Sequence, residues 1–384
     1  MCKNVMIVAG EASGDLHGAG VVRAMRRLDP TLHFLGMGGE ELREAGVDIV
    51  FDAKKLAVMG VLEVAAKIRD IVSAQRILRK RLQEEKIDLL ILIDFPDFNL
   101  KLAACAKALG IPVFYYICPK VWASRSSRIK TIRKRVDRLA LILPFEKEFL
   151  GQRGVEAEYV GNPLLDCVFR KRSREQFLTT HGIDSKARCI GLLPGSRMSE
   201  VNSLLPLFLQ AACKLGQART EELVFLVPKA ATISRQALGE AGVDRYSNLV
   251  NIKIIEDDRY EMMAACDCVV AASGTVTLEL ALLTTPMVVA YRLAPVTYAL
   301  AKCLVKIPFF SLVNLIAGYR VVPELLQHEV TQERIVHELN LLLNSYQQRT
   351  DMIRGLQSVK EKLGKPGASA RAAQLALGLL DKTG

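Results

Sequence analysis

The run LLILIDFPDFN (89–99) ends with two carboxylates, Asp94 and Asp97, around a Phe-Pro step. At the mouth of an apolar strand a carboxylate can take the proton of a hydroxyl nucleophile, provided its pKa is raised toward neutrality. An unperturbed Asp titrates at about pH 4 and is a feeble base. Burial against Phe95 and Phe98, or a second negative charge at Asp94, would raise that value; a helix starting near Phe98 would oppose the rise. Pro96 breaks the strand between the two residues. Asp94 therefore reads as structural or as a charge neighbour, and Asp97 as the candidate base. In the competing reading Asp97 is the N-cap of the helix FNLKLAACAKALG.

Three further loops have residue types suited to an anionic or hydroxylated ligand. GEASGDLHGAG (10–20) brings Gly10, Glu11, Ser13, Gly14 and Asp15 to the end of an apolar run. Glycines there allow a tight turn and close backbone approach, and the following helix start offers free amides; a plain turn capped by Ser13 or Asp15 is the alternative. The loop lacks the Lys of GxxxxGK[ST], and GMGGEE (36–41) has Glu41 where GxGxxG needs glycine, so kinase-like and dinucleotide-binding roles lose support. LLPGSRMSEV (192–201) exposes the amides of Gly195 and Ser196 beside Arg197, a phosphate clamp or else a capped helix with a solvent-facing Arg. In DCVVAASGTVTLELALLTTPMVVAYR (267–292) a strand breaks at Ser273, Gly274 and Thr275, where a helix start would attract a diphosphate, and Glu279 could accept hydrogen bonds from ribose hydroxyls. Glu279 also suits a helix N-terminus for its charge alone.

No Asp-x-Asp triplet supplies a metal clamp, and EDD (256–258) reads better as a helix start before Arg259. No Ser–His or Cys–His pairing presents itself; His17, beside the first glycine loop, is the one histidine placed for catalysis. Nine scattered cysteines form no CxxC pair, which fits reduced thiols and a cytoplasmic setting.

Positioning these loops requires strands that end beside them. VMIVA (5–9), LLILI (89–93), PVFYYI (112–117) and RLALIL (138–143) alternate with helical stretches, and the same grammar restarts with CIGLLP (189–194), LVFLV (223–227), NIKII (251–255), CVVAA (268–272) and PMVVAY (286–291). Near-continuous apolar strands belong to parallel sheets covered on both faces, so the sequence predicts an α/β protein with two doubly wound domains and ligands at the carboxyl ends of the strands, in a cleft between the domains. The boundaries fall at 1–165, 166–345 and 346–384, the last segment helical and either capping the second domain or crossing back to the first.

A chain of 384 residues, half of them hydrophobic, supports cores of that size. The opening MCKNVMIVAG is too short in its apolar part for a secretory signal, and the most apolar later stretch (286–304) is interrupted by Arg292, Pro295 and Lys302, so no spanning helix is expected. A net charge of +11, concentrated in RSSRIKTIRKRVDR (125–138), favours an anionic partner or a solvated helix face. Without interleaved aromatics the run argues against nucleic acid. LAVMGVLEVAAKI (56–68), next to Lys54 and Lys55, is either a core helix or a membrane-contacting one.

Taken together the loops resemble the lipid-A-disaccharide synthases. VAGEASGD (8–15), LAVMGVLEV (56–64), IDFPDFN (93–99), PKVWAS (119–124), LPFEKEF (143–149), LLPGSR (192–197), ASGTVTLE (272–279), PMVVAYR (286–292) and SLVNLIAG (311–318) follow that family's order over nearly the whole chain. The resemblance implies a GT-B glycosyltransferase with two Rossmann-like domains facing across a cleft and neither metal nor cofactor. It would join UDP-2,3-diacylglucosamine to 2,3-diacylglucosamine 1-phosphate, giving the β-1,6 disaccharide 1-phosphate and UDP with inversion. It assigns the acid/base position to Asp97, donor contacts to Gly195, Ser196, Arg197, Ser273, Gly274, Thr275 and Glu279, and acceptor contacts to Gly10, Glu11, Ser13, Gly14, Asp15, Met59, Asn99, Trp122 and Asn314. A homodimer exchanging C-terminal elements, and a peripheral position on anionic lipid at the inner face of the cytoplasmic membrane, are likewise implied. Ser124, where many members have Trp, and Asn162, where they have His, depart from the pattern at implied acceptor or acyl-chain contacts; Tyr319 before Arg320 is a third departure. Another GT-B enzyme such as a UDP-N-acetylglucosamine 2-epimerase, or a basic RNA-binding protein, is the alternative.

Overall fold

A computed structural model gives the structure of the protein and describes residues 3–56, 61–123, 126–230, 232–294, 298 and 307–381, with the backbone alone over 61–67. Met59 and Ser124 lie outside the described residues, as do 57–60 of the stretch read as a membrane-contacting or core helix. The chain divides into two units, one running to Asp166 and resuming at Lys365, the other Cys167–Gly364.

In the first unit the strands are β1 (Asn4–Ala9), β2 (His33–Gly38), β3 (Asp48–Asp52), β4 (Leu89–Ile93), β5 (Val113–Tyr116), β6 (Arg138–Leu141) and β7 (Glu158–Tyr159). They pair in the order β3-β2-β1-β4-β5-β6-β7, all parallel. Successive side chains point to opposite faces. Met6, Val8, Leu90 and Leu92 therefore pack with Leu78 and Phe98 on one side, and Val5, Ile7, Leu89 and Ile91 with Val22, Met25 and Ala376 on the other. Both faces are covered, which is why these strands read as unbroken apolar runs. Strand order reverses between β1 and β4, and the crevice at such a switch point, outside the strands' carboxyl ends, is where an open α/β sheet binds ligands.

The second unit repeats the plan with β8 (Arg188–Leu193), β9 (Leu223–Pro228), β10 (Asn251–Ile255), β11 (Cys268–Ala272), β12 (Met287–Tyr291) and β13 (Glu324–Leu326), ordered β10-β9-β8-β11-β12-β13 and all parallel. Its switch point lies between β8 and β11.

The segment expected as one piece from 346 divides at 364/365 instead. Helix Tyr346–Lys362 stays with the second unit, where Lys360 donates to Leu282 O (3.1 Å) and Lys362 to Ala317 O (2.7 Å). Helix Ala368–Leu380 packs on the first sheet through Ala372, Ala373 and Ala376, and Arg371 Nε donates to Val160 O (2.7 Å). No described helix is long and apolar enough to cross a membrane.

Candidate active site

Both pairs of loops singled out in the sequence emerge at switch points. In the first unit the chain leaves β4 through Asp94 and Phe95, both left-handed at φ +44° and +43°, a conformation costing about 1–3 kcal/mol per non-glycine residue. Surrounding contacts hold it. Asn99 Nδ2 donates to Ile93 O (3.1 Å) and Asp94 O (2.8 Å), and the Tyr115 hydroxyl donates to Asp94 O (2.5 Å). The Phe95 ring lies over Gly10 at the end of β1, so close that a Cβ there would sit 2.4 Å from it. Gly10 is thus required by its neighbouring loop, and Asn99, fully buried, fixes the turn through its Nδ2 while its Oδ1 has no hydrogen-bond partner among the described residues.

The helix begins at Pro96, one turn-half earlier than expected, with Phe95 as N-cap and no side-chain cap bond. Asp97 is consequently not the cap but the second helical residue: Pro96, having no N–H to satisfy, takes the first position. The Asp97 carboxylate is 70% exposed and pairs with Arg128 at the start of helix Arg128–Arg135. Asp94 is half-buried; burial raises its carboxyl above the ordinary range and Glu11 adds to the rise, against Lys120 and a backbone hydrogen bond from Phe95. Its charged neighbours include Glu11 and Lys120.

The glycine loop separates into roles. Glu11 is the N-cap of helix Ala12–Leu28 without a cap bond, and Glu11 and Ser13 are exposed. Asp15 caps nothing in its own helix. Its buried carboxylate accepts from the amides of Gly39 (2.6 Å), Glu41 (3.0 Å) and Leu42 (3.4 Å), tying the β2 loop down. Gly14 is buried against Ala9 and Ile93. Burial lowers the His17 imidazole to about 4, leaving it neutral at physiological pH and far from the pKa of an effective base.

Two residues without an assigned role in the sequence join this edge. One is Arg128, hidden in the basic run. The other is Glu146 of LPFEKEF, 2% exposed, whose Oε1 accepts from Trp122 Nε1 (3.0 Å) while Oε2 accepts from the Leu143 amide (3.2 Å). Burial pushes the Glu146 carboxyl up to about 7, although the Trp122 and backbone hydrogen bonds and Lys120 oppose the rise. Trp122 is half-buried and meets Phe145 edge-on at 5.1 Å. In the sequence Glu146 is marked by its place in LPFEKEF, three residues into a helix starting Leu-Pro. Asn162, the departure from the family pattern, closes its own loop: Nδ2 donates to Ile142 O (3.1 Å) and Oδ1 accepts from Leu164 N (3.0 Å).

In the second unit Gly195 follows β8 at φ +109°, and a Cβ there would lie 2.2 Å from Glu200 Oε2. That oxygen accepts from the amides of Ser196 (3.1 Å) and Arg197 (3.2 Å), and Arg197 Nη1 reaches Glu200 Oε1 (3.3 Å). A carboxylate of the chain itself thus sits on the amides proposed for phosphate, and Arg197 is the N-cap of helix Met198–Gln217, 67% exposed. After β11, Gly274 and Thr275 are exposed, Ser273 Oγ donates to Phe310 O (3.0 Å), and helix Val276–Leu282 follows. Glu279 is 5% exposed and ion-paired with Arg259. Asn314 belongs to the second unit, is fully buried, and its amide is engaged with Val321 N, Val322 N, Val322 O and Glu324.

Chemically, the first edge offers carboxylates for proton transfer and the second offers amides, hydroxyls and Arg197 for a phosphorylated group. Among the described residues no three His, Cys, Asp or Glu gather as a metal ion would need. A 540 Å³ cavity lined by Val168, Cys266, Thr285 and Arg349 opens at the amino ends of β11 and β12, away from these loops.

Residues 5–377 match the model of the family described as lipid-A-disaccharide synthetase. The lipid-A-disaccharide synthase of Geobacter sulfurreducens is 43% identical over 98% of this chain and 97% of its own, and that of Syntrophus aciditrophicus 44% identical over 99% of each. Among solved structures, Acinetobacter baumannii MurG superposes with a TM-score of 0.61 at 15% identity, covering 98% of this chain and 99% of its own. The UDP-GlcNAc 2-epimerase of Neisseria meningitidis, at 13% identity, gives 0.58, covering 99% and 100%. Likeness at such low identity is a likeness of fold, here the GT-B type, and does not favour transferase over epimerase.

Proposed function

The chain belongs to the lipid-A-disaccharide synthase family, a family of hexosyltransferases, and from that premise we propose the substrates and the residues of its reaction. The donor is UDP-2,3-diacylglucosamine and the acceptor 2,3-diacylglucosamine 1-phosphate. The acceptor's 6-hydroxyl oxygen attacks the donor's anomeric carbon, the bond from that carbon to the diphosphate breaks, and UDP departs with the electron pair. A single in-line displacement inverts the configuration, and the hydroxyl proton goes to a carboxylate.

Asp97 is the proton acceptor in this reading. Its support is its place at the β1/β4 switch point, in solvent reach and with Arg128 orienting one carboxylate oxygen. The observation that carries the donor assignment is the β8/β11 switch point, where Gly195, Ser196, Arg197, Ser273, Gly274 and Thr275 come from the two strands that flank it. Arg197 supplies charge to the departing diphosphate, and Glu279, with Arg259 on it, accepts from the ribose. On the acceptor side Glu11, Ser13 and Trp122 remain as contacts. Asp15 and Asn314 are positioning residues, their polar atoms already engaged, and Asn99 positions the Asp94 turn through its Nδ2.

The opposing observation concerns Asp94, whose carboxyl is the one raised by burial and by Glu11; a base is more effective with its pKa nearer the working pH. Asparagine at each position separates the two. We further propose metal independence, a homodimer, and peripheral binding to anionic lipid. For the last the support is the exposed Lys130, Arg133 and Lys134 together with exposed Ile68 and Val72. Incubation with both diacylated substrates and EDTA, followed by mass spectrometry, tests substrates and metal independence. Absence of binding to anionic vesicles at low salt would remove the lipid assignment.

A further inference from the structure

The short strand β13 and the residue after it hold two separate stretches of chain. Glu324, at the head of β13, accepts at Oε1 from Ser311 N (2.9 Å) and Asn314 Nδ2 (2.9 Å), and at Oε2 from Phe310 N (3.2 Å). Three N–H groups on one carboxylate fix the 310–314 turn. That turn is what the β11 loop touches, because Ser273 Oγ donates to Phe310 O. Three residues after β13 begins, Gln327 grips the chain leaving β12: its Oε1 accepts from Leu293 N (2.6 Å) and its Nε2 donates to Leu293 O (3.0 Å). The side-chain amide thereby substitutes for one more backbone pair beyond the end of the strand. Gln327 does this from a left-handed backbone at φ +53°, an arrangement persisting only where the surroundings over-determine it. Between the two grips the Tyr291 and Phe310 rings stack, their centroids 5.9 Å apart.

The gripped 310–314 turn borders the donor loops. Ser273 is one of their residues, and Tyr291 lies within electrostatic reach of Arg197 and Glu200. We propose that Glu324 and Gln327 are positioning residues of the donor half-site, setting the Ser273 loop and the Tyr291–Phe310 pair in register for a nucleoside diphosphate sugar. The inference rests on the reading that the second unit binds the donor. It gives Asn314 a role as well: with Oδ1 accepting from Val321 N and Val322 N and Nδ2 donating to Glu324, it locks the helix Leu312–Ala317 to the strand that carries the clamp.

The test uses the full chain, UDP titration by calorimetry, and steady-state kinetics with each substrate varied in turn. Gln327→Glu keeps an acceptor for Leu293 N and places a carboxylate against Leu293 O; Glu324→Gln loses one of the acceptor oxygens. Each variant is expected to weaken UDP binding and raise the donor KM about tenfold or more, the factor that one misplaced polar contact of roughly 1.4 kcal/mol produces, with the acceptor KM within about twofold. Folded variants with unchanged UDP affinity and donor KM, or with both KM values rising equally, would overturn the proposal. So would failure of both variants to fold, since the network would then serve stability alone. Failure of the wild-type chain to bind UDP would count against the donor reading itself and not against the clamp.

Discussion

Asp97 stands second in its helix with its carboxylate in solvent and Arg128 against it. An exposed pair of this kind contributes roughly 0–1 kcal/mol, and a carboxylate in the first helical turn roughly 0.3–1 kcal/mol. Asp97→Asn should therefore unfold within about 2 kcal/mol of wild type yet lose about 10²-fold or more in kcat. Asp94→Asn should lose less, and the reverse order would move the base to Asp94. The carboxylate pair was legible as chemistry from its place after an apolar strand. Its geometry was not: no local pattern announces two consecutive left-handed residues, which depend on Asn99, Tyr115 and the Gly10 contact from elsewhere in the unit. Nor was Glu146, whose environment comes from β5, β6 and the Trp122 loop together. Its folded-state pKa of about 7 exceeds the unfolded 4.5, so the folded form binds more protons between those values. Stability linked to Glu146 is full below about pH 4.5 and lost as pH rises through about 7, on the order of 3 kcal/mol in all. Relative to Glu146→Gln, wild type should thus lose stability from pH 4 to pH 8 in denaturant titrations, and parallel pH profiles would refute the buried-charge account.

Loops gain their meaning from strand order. The apolar runs identify β1, β4, β8 and β11, and the motifs at their ends were visible in the sequence, but only the pairing places each couple at a reversal of the sheet. HFLGMG was not read as β2, because Gly36 and Gly38 make a poor strand on propensity and are accommodated by packing against β1 and the Asp15 anchor. The three-residue β13 has too little pattern to show at all, so its clamp was invisible. At the β8 loop the close approach of Glu200 makes glycine necessary: Gly195→Ala combines a positive φ with a Cβ at 2.2 Å from a carboxylate oxygen. The expected cost is about 1–3 kcal/mol, with Arg197 displaced and the donor KM raised. An alanine variant as stable and as active as wild type would mean that the loop relaxes freely and that its left-handed turn does not set donor binding. For Arg197→Ala the loss should concentrate in donor use, seen as a weaker UDP isotherm with an unchanged melting temperature.

At the scale of the whole chain, two parallel-sheet units were legible because the strand grammar restarts after residue 188, whereas the return of the last helix was legible only as one of two alternatives, since an apolar helix face does not name its partner. Helix Ala368–Leu380 completes the first unit's core, with Lys3 donating to Leu380 O (2.8 Å) and Arg371 to Val160 O. Ending the chain at Gly364 should expose that face and abolish cooperative unfolding of the first unit, while the second unit keeps its own transition; two unchanged transitions in calorimetry would contradict the division. The central claim, that this chain joins two diacylated glucosamines, is most directly tested by one mass-spectrometric assay of UDP-2,3-diacylglucosamine with 2,3-diacylglucosamine 1-phosphate in EDTA. The tetraacyl disaccharide 1-phosphate and UDP are expected in equal amounts. Consumption of the UDP-sugar without disaccharide, or an epimerised UDP-sugar as product, would contradict it.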